Sequence, residues 1–342
     1  MKLSRILVTG AVGLLSLSLA ACGGGSSTGG GAKTTFKLAF NQTEQHPQYK
    51  AAVEFGKKLE EATQGRYTIK AYANEQLGTQ SDVIQNVSNG TVEFMYVGGP
   101  VMESFNQDFV VYNLPYMFDS VEAQKAVFRN EELNSELFSS LEEAKGLTVL
   151  AALHAGTRSV YNSKQEIKTP ADLAGMKIRV QQSDSQVKMM ELLGGIGTPM
   201  GQGEVYSALQ TGVLDGAENN PTVYDALKHD EVAKYYSYTR HLMIPDYLLM
   251  STKALQKMDE ADREALLKLV PEVQNLADDG FAQYITESEE AAKQKGATFN
   301  EVDDVAAFKE LVKPLIEESV NNEVRQTLHT AIQEANAANP AK

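Results

Sequence analysis

The chain of 342 residues holds a single cysteine, Cys22. No disulfide can form within it, so its folded body must rest on packing alone. Beyond the N-terminal stretch no apolar run reaches the roughly 18 residues of a spanning helix. The five histidines, His46, His154, His229, His241 and His329, include no His-Glu-x-x-His pair, and no second thiol is available for a thiolate metal site. There is no Gly-x-Ser-x-Gly elbow, no Gly-x-x-x-x-Gly-Lys phosphate loop and no Gly-x-Gly-x-x-Gly turn after the first strand. Acidic residues are plentiful, at 45, but spacing singles out no pair for acid–base work, so catalysis is the weaker reading. Positive charge is scarce: 31 Lys and Arg leave a formal net charge of −14. Such a surface disfavours nucleic acid and anionic lipid. It does not exclude small anions, because a few buried arginines in a water-poor cleft outweigh a distant, screened field.

The N-terminus carries a different signal. Lys2 and Arg5 precede an apolar run from Ile6 to Leu19 that ends in Leu19-Ala20-Ala21-Cys22. A basic start, a short apolar core and small residues before a cut make an export signal. The stretch resembles the lipobox of bacterial lipoproteins, which implies that Cys22 becomes a lipidated N-terminus; an ordinary secretory signal with a chance cysteine is the alternative. The low-complexity run Gly23–Gly31 reads as a flexible tether.

About 300 residues of globular composition follow, more in keeping with two domains than one. Strand and helix patterns alternate as in an α/β protein. Strands are expected at Phe36–Asn41, Tyr67–Ala71, Thr91–Val97, Leu147–Leu153 and Met176–Val180. Helices are expected at Pro47–Ala62, around Val83–Val87 and at Glu204–Thr211, closed by Gly65, Gly90 and Gly212. Thr169-Pro170-Ala171-Asp172 reads as an N-cap followed by proline. From Lys253 to Glu334 the chain reads as nearly all helical, broken near Pro271, Gly296 and Pro314. Pro271–Lys295 reads as one long helix that crosses between domains, with a helix packed on one domain only as the alternative. No repeat of fixed period is present.

Three polar side chains fall at strand ends. Arg179 closes the strand Met176–Val180, Asn219 ends Leu214–Asn219, and Arg158 follows Leu147–Leu153 across the Gly156-Thr157 turn. Ligands of open α/β sheets bind outside such ends. Guanidinium groups match a carboxylate bidentately and an amide can add a hydrogen bond, so a ligand with at least one carboxylate is the chemical inference. Each arginine equally fits a plainer role, capping a helix or pairing with a surface glutamate.

Gly156-Thr157-Arg158, Ile167–Val180, Thr198-Pro199-Met200, Glu204–Asn219, Gln76-Leu77-Gly78 and Leu114–Phe118 together resemble the solute-binding proteins of tripartite ATP-independent periplasmic (TRAP) transporters, the DctP family, from about Phe36 to the C-terminal helices. The resemblance implies a two-domain, type II periplasmic-binding fold with a long helix spanning both domains, which close over a solute in the cleft. It implies domain I at 36–155 plus 245–284 and domain II at 156–244 plus 285–336, after a signal at 1–22 and a tether at 23–35. Arg179 matches the main carboxylate-pairing arginine, Arg158 a second arginine on the same group, and Asn219 the amide that completes the clamp. The implied partners are the carboxylate ligand, the membrane permease and, through lipid, the membrane; no cofactor, metal or nucleic acid is implied, and monomer is the family default.

The solute is less sharply drawn. Gln42, Glu44 and His46 follow the first strand and would face the cleft with groups for sugar hydroxyls; Glu44 also fits a solvated helix-start charge. Gly98-Gly99 is bare backbone where sialic-acid receptors carry a glutamate. Asn220 and Asp246, with His241, lie in stretches that look like those of sugar-acid receptors. Gln202 stands where the family is often aromatic and suits a hydroxylated ligand. A hexuronate-type monocarboxylate is favoured, with a C4-dicarboxylate or keto acid as alternatives and an extracytoplasmic hydrolase as the non-transport alternative. Tyr112, Tyr116, Met117 and Phe118 read as core packing beneath the cleft rather than as its wall.

Overall fold

The computed structural model describes residues 33–341. The expectations for the export signal and Cys22 lie outside the described residues, and so does the tether except its end: Thr34 and Thr35 already belong to the first strand. Eleven strands are present among the described residues, β1 (Thr34–Ala39), β2 (Tyr67–Tyr72), β3 (Phe94–Gly98), β4 (Leu147–His154), β5 (Arg158–Asn162), β6 (Lys177–Val180), β7 (Ile196–Pro199), β8 (Gly216–Asn219), β9 (Tyr235–Leu242), β10 (Pro245–Ser251) and β11 (Thr298–Glu301). They form two mixed sheets, ordered β2-β1-β3-β10-β4 and β11-β9-β5-β8-β6-β7.

Local chemistry explains the elements. In the helix Pro47–Ala62, proline sits in the first turn, and Ala52, Phe55 and Leu59 share the buried face. That face meets β2 and the helix Glu260–Asp278, and burying Phe55 and Leu59 contributes roughly 1.5–3 kcal/mol each. Gly56 allows the helix to approach the sheet: a Cβ there would lie 2.6 Å from the Ile69 carbonyl, and Thr68 Oγ1 donates to the Gly56 carbonyl at 3.0 Å. The helix Gln80–Asn89 starts on a Thr79 cap and stops at Gly90 in the left-handed region. Tyr112, Met117 and Phe118 are buried; the Tyr112 and Phe118 rings pack around Phe128, as core and not as cleft wall.

The chain passes between the sheets more than once. β4 leaves the first sheet and β5 enters the second after Ala155-Gly156-Thr157; β9 returns into β10 across Met243-Ile244. These crossings run side by side, since Pro245 pairs with His154 and Arg158 with Leu242. A third crossing corrects the expected long helix over Pro271–Lys295. Two helices stand there, Glu260–Asp278 on the first lobe and Phe281–Gln294 against the helix Pro221–Ala226 of the second. Gly280, at φ +74, breaks them apart, a conformation that glycine adopts without a Cβ penalty. The expected breaks at Pro271 and Pro314 are absent: both prolines lie inside helices. The short strand β11 interrupts the expected helical run after Gly296. The last helix, Glu323–Ala338, packs on Val121–Phe128 beside the first sheet.

Gly56→Ala should lower stability by about 1–3 kcal/mol through overpacking against β2, read as a lower chemical-denaturation midpoint.

Candidate functional site

Register brings the three strand-end residues together. β6 runs parallel to β8, with Arg179 opposite Ala217. β5 runs antiparallel to β8, with Ser159 opposite Asn219. Arg158 follows β4 across the turn as expected and begins β5, at the edge where β8 ends. All three side chains are buried, at 4% exposure for Arg158, 2% for Arg179 and 1% for Asn219.

The two arginines have different partners. Arg158 is held by Glu218: Nε donates to Oε2 at 2.6 Å and Nη2 to Oε1 at 2.6 Å. Its Nη2 also donates to the Glu218 carbonyl at 2.8 Å and its Nη1 to Asn219 Oδ1 at 2.7 Å. His241 Nε2 lies 3.7 Å from Glu218 Oε2, and Thr239 Oγ1 meets His241 Nδ1 at 2.8 Å. Burial pushes the Glu218 carboxyl up, but Arg158 and His241 outweigh it and hold it at about 2. Burial likewise opposes the Arg158 charge, and Glu218 more than restores it.

Arg179 has no carboxylate within 4.0 Å among the described residues. Its Nε and Nη2 both donate to the Met200 carbonyl, at 2.9 and 2.8 Å. Burial pulls its pKa below the ordinary value; Glu218 opposes the shift and the Arg158 charge adds to it. An arginine stays protonated regardless, so a buried cation stands at this edge with one carbonyl as its hydrogen-bond partner and with Glu218 and Glu75 acting on it from a distance. Asn219 completes the edge. Its Oδ1 is used by Arg158 and by the Asn220 N–H at 2.9 Å, which leaves its amide N–H groups to donate.

The other expected site residues divide. Gln202 is buried, and its Nε2 has no partner. Gly98 lies where β3 meets the second lobe: a Cβ there would come within 2.7 Å of Gln181 Oε1. Asp246 pairs with Gly98 across β10 and β3, and burial pushes its carboxyl up to about 6. His46 caps the helix Pro47–Ala62, with Nδ1 accepting from the Gln48 N–H at 3.2 Å. Its ring packs on Phe40, Phe281 and Tyr284, and burial lowers its pKa to about 3, so it is neutral. Gln42 is buried beside it in sequence, and its carbonyl accepts from Asn74 N–H. Glu44 is exposed and is not brought to the arginines. Asn220 is used structurally: Nδ2 donates to the Ala155 carbonyl at 2.6 Å and Oδ1 caps the helix Pro221–Ala226.

Sequence reasoning missed the roles of Glu218 and Glu75. Glu218 precedes Asn219 on a four-residue buried strand, a position where a charge needs a buried partner. Glu75 had no local signal. Its Oε2 accepts from the Gly203 N–H of the second lobe at 2.9 Å. Among the described residues no three His, Cys, Asp or Glu side chains cluster as metal ligands.

Two α/β lobes and a buried guanidinium without a carboxylate partner suit a two-lobed receptor for a carboxylate. The comparisons agree with that class. The model of bacterial extracellular solute-binding protein family 7, DctP, matches residues 38–336. A solute-binding protein of Chromohalobacter salexigens is 36% identical over 299 residues, covering 85% of this chain and 86% of the relative. A TRAP periplasmic solute-binding protein from Anaerococcus prevotii, solved with bound α/β D-glucuronate, superposes with a TM-score of 0.87 at 35% identity, covering 90% of this chain and 100% of that one. A TRAP solute-binding protein from Xanthobacter autotrophicus, solved with bound β-D-galacturonate, gives 0.83 at 31% identity, over 87% of this chain and 99% of that one. The chain belongs to the DctP family of extracellular solute-binding proteins. It is an extracytoplasmic receptor that binds a small carboxylate and delivers it to a TRAP permease, not an enzyme.

Because Glu218 sits below its ordinary value of 4.5, its contribution is complete above that pH and is lost as pH falls toward about 2. Glu218→Ala should cost about 3–5 kcal/mol near neutrality by stranding Arg158 and flatten that acid limb, measured by denaturant titration at several pH values.

Proposed function

We propose that this receptor binds a hexuronate, with Arg179 pairing the sugar-acid carboxylate, Arg158 and Asn219 completing the anion clamp, and Gln202, Gly98 and Asp246 forming the wall that meets the hydroxyls. The supporting observation is the buried Arg179 guanidinium with a backbone carbonyl and no carboxylate for company. The glucuronate and galacturonate bound to the solved relatives support the same solute class.

The electrostatics drive closure. An unpaired buried ion costs several kcal/mol. A ligand carboxylate removes that cost on Arg179 and favours the closed arrangement by its differential affinity. Gln202 Nε2, buried without a partner, calls for an oxygen acceptor such as a hydroxyl rather than a methylene. The lobe division at 36–155 with 245–284 and 156–244 with 285–336 is supported by sheet membership; the last helix departs from it by packing on Val121–Phe128. The receptor acts as a monomer held to the membrane by lipid on Cys22.

Calorimetry with D-glucuronate, D-galacturonate and succinate tests the solute. Uronate binding without succinate binding is expected; the reverse selects the dicarboxylate reading. Arg179→Ala should abolish measurable uronate binding with little change in thermal stability, since no protein carboxylate loses its partner. Arg179→Lys should also impair binding, because an ammonium cannot reproduce the planar fork.

A further inference from the structure

Glu75 lies in the turn between β2 and the helix Gln80–Asn89. Asn74 and Glu75 both hold positive φ, +55 and +54, an uncommon region for residues with a Cβ. The turn carries the Glu75 carboxylate across to the second lobe. There Oε2 accepts from the Gly203 N–H at 2.9 Å, and a Cβ at position 203 would sit 2.8 Å from that oxygen. Gly203 belongs to the tight turn Gln202–Glu204, just past Met200, whose carbonyl receives Arg179. Glu75 thus docks beside the anion-binding arginine.

Two atoms at this contact are unmatched. Glu75 Oε1 is buried without a hydrogen bond and needs a donor; Gln202 Nε2, from the adjoining residue of the turn, is buried and needs an acceptor. A hydroxyl seated between them would serve both, its O–H donating to Glu75 and its oxygen accepting from Gln202. A ligand carboxylate in its place would serve Gln202 only and add a negative charge to a cleft that already holds Glu75. The charges on the cleft sharpen the point. Glu218 already balances Arg158. Arg179 has room for one anion. Glu75 and Asp246 have no cation within 4.0 Å among the described residues.

We infer that Glu75 determines specificity: with Gln202 it reads a hydroxyl of the solute, and its negative charge, held in the cleft without a cation within 4.0 Å among the described residues, disfavours the added negative charge of a second carboxylate anywhere in the cleft. The inference rests on the hexuronate reading and deepens it. The chemical class follows as a polyhydroxy acid with one carboxylate.

Calorimetry on the full chain with D-glucuronate and D-glucarate tests this, since glucarate carries a second carboxylate at the far end of the same carbon skeleton. Wild type should bind glucuronate at least about 100-fold more tightly. Glu75→Gln should weaken glucuronate by about tenfold and narrow the gap to glucarate by at least about tenfold; comparing variant with wild type cancels the difference between ring and open chain. Gln202→Leu should weaken glucuronate by about tenfold and leave the charge-based gap in place. A gap unchanged within about twofold in Glu75→Gln overturns the inference while uronate binding still stands. Equal binding of the two acids by wild type overturns it without any variant. Wild type that ignores uronates and binds succinate overturns the hexuronate reading and this inference together.

Discussion

A buried guanidinium that the protein itself leaves without a carboxylate organises this molecule. The second lobe contains two arginines within one small sheet edge, and it treats them oppositely. Arg158 is locked to Glu218 by a two-point fork, with His241 behind. Arg179 is oriented by one carbonyl. The first arrangement is internally neutral and therefore rigid. The second is a charge whose desolvation is not repaid inside the chain. On the proposed binding mode a ligand anion repays it, so that the binding free energy and the reason for closing would come from the same group.

Closure needs a hinge that moves without losing the site's geometry. The crossings at Ala155–Thr157 and Met243-Ile244 are short and lie side by side. Asn220 ties the first of them to the edge of the site through the Ala155 carbonyl, and Gly156, at φ +84, fits closely against Asn220. Across the cleft the lobes meet through polar contacts: Ser81 Oγ donates to Gln182 Oε1 at 2.7 Å, Ser183 and Ser185 donate to Glu103 at 2.7 and 2.9 Å, and Gly203 donates to Glu75. The neutral bond contributes about 1 kcal/mol net and those to the carboxylates about 1.5–3 kcal/mol each. They guide the lobes into register and leave the ligand to decide the balance between open and closed forms.

Much of this was legible in the sequence, for physical reasons. Proline in the first turn at Pro47, glycine stops at Gly90 and Gly212, and alternation in β2 are local signals, and the elements formed where they pointed. The convergence of Arg158, Arg179 and Asn219 was legible because strand ends in α/β sheets share an edge. What was not legible depended on contacts distant in sequence. Pro271 and Pro314 break helices by local propensity, yet tertiary packing keeps both inside helices, while Gly280 supplies the true break. β5, at five residues, is buried throughout and shows no alternation. His46 looked like a ligand group, but the cap it makes and the three rings around it are tertiary facts. Glu75 was one acid among many until the fold set it against Gly203.

The acidic chain and its anionic ligand are compatible because the two fields act on different scales. Surface carboxylates are solvated and screened over about 8–10 Å, so they slow the approach of an anion modestly. Buried groups are screened far less, so at the site the nearest charges dominate: one arginine without a carboxylate within 4.0 Å among the described residues and a few carboxylates close by. On the proposed reading the site is selective by count. It has one positive charge to give, and the remaining polar surface accepts hydrogen bonds from hydroxyls at no charge cost. A ligand gains by carrying one carboxylate and many hydroxyls, and a second carboxylate would have to be desolvated without a cation to receive it.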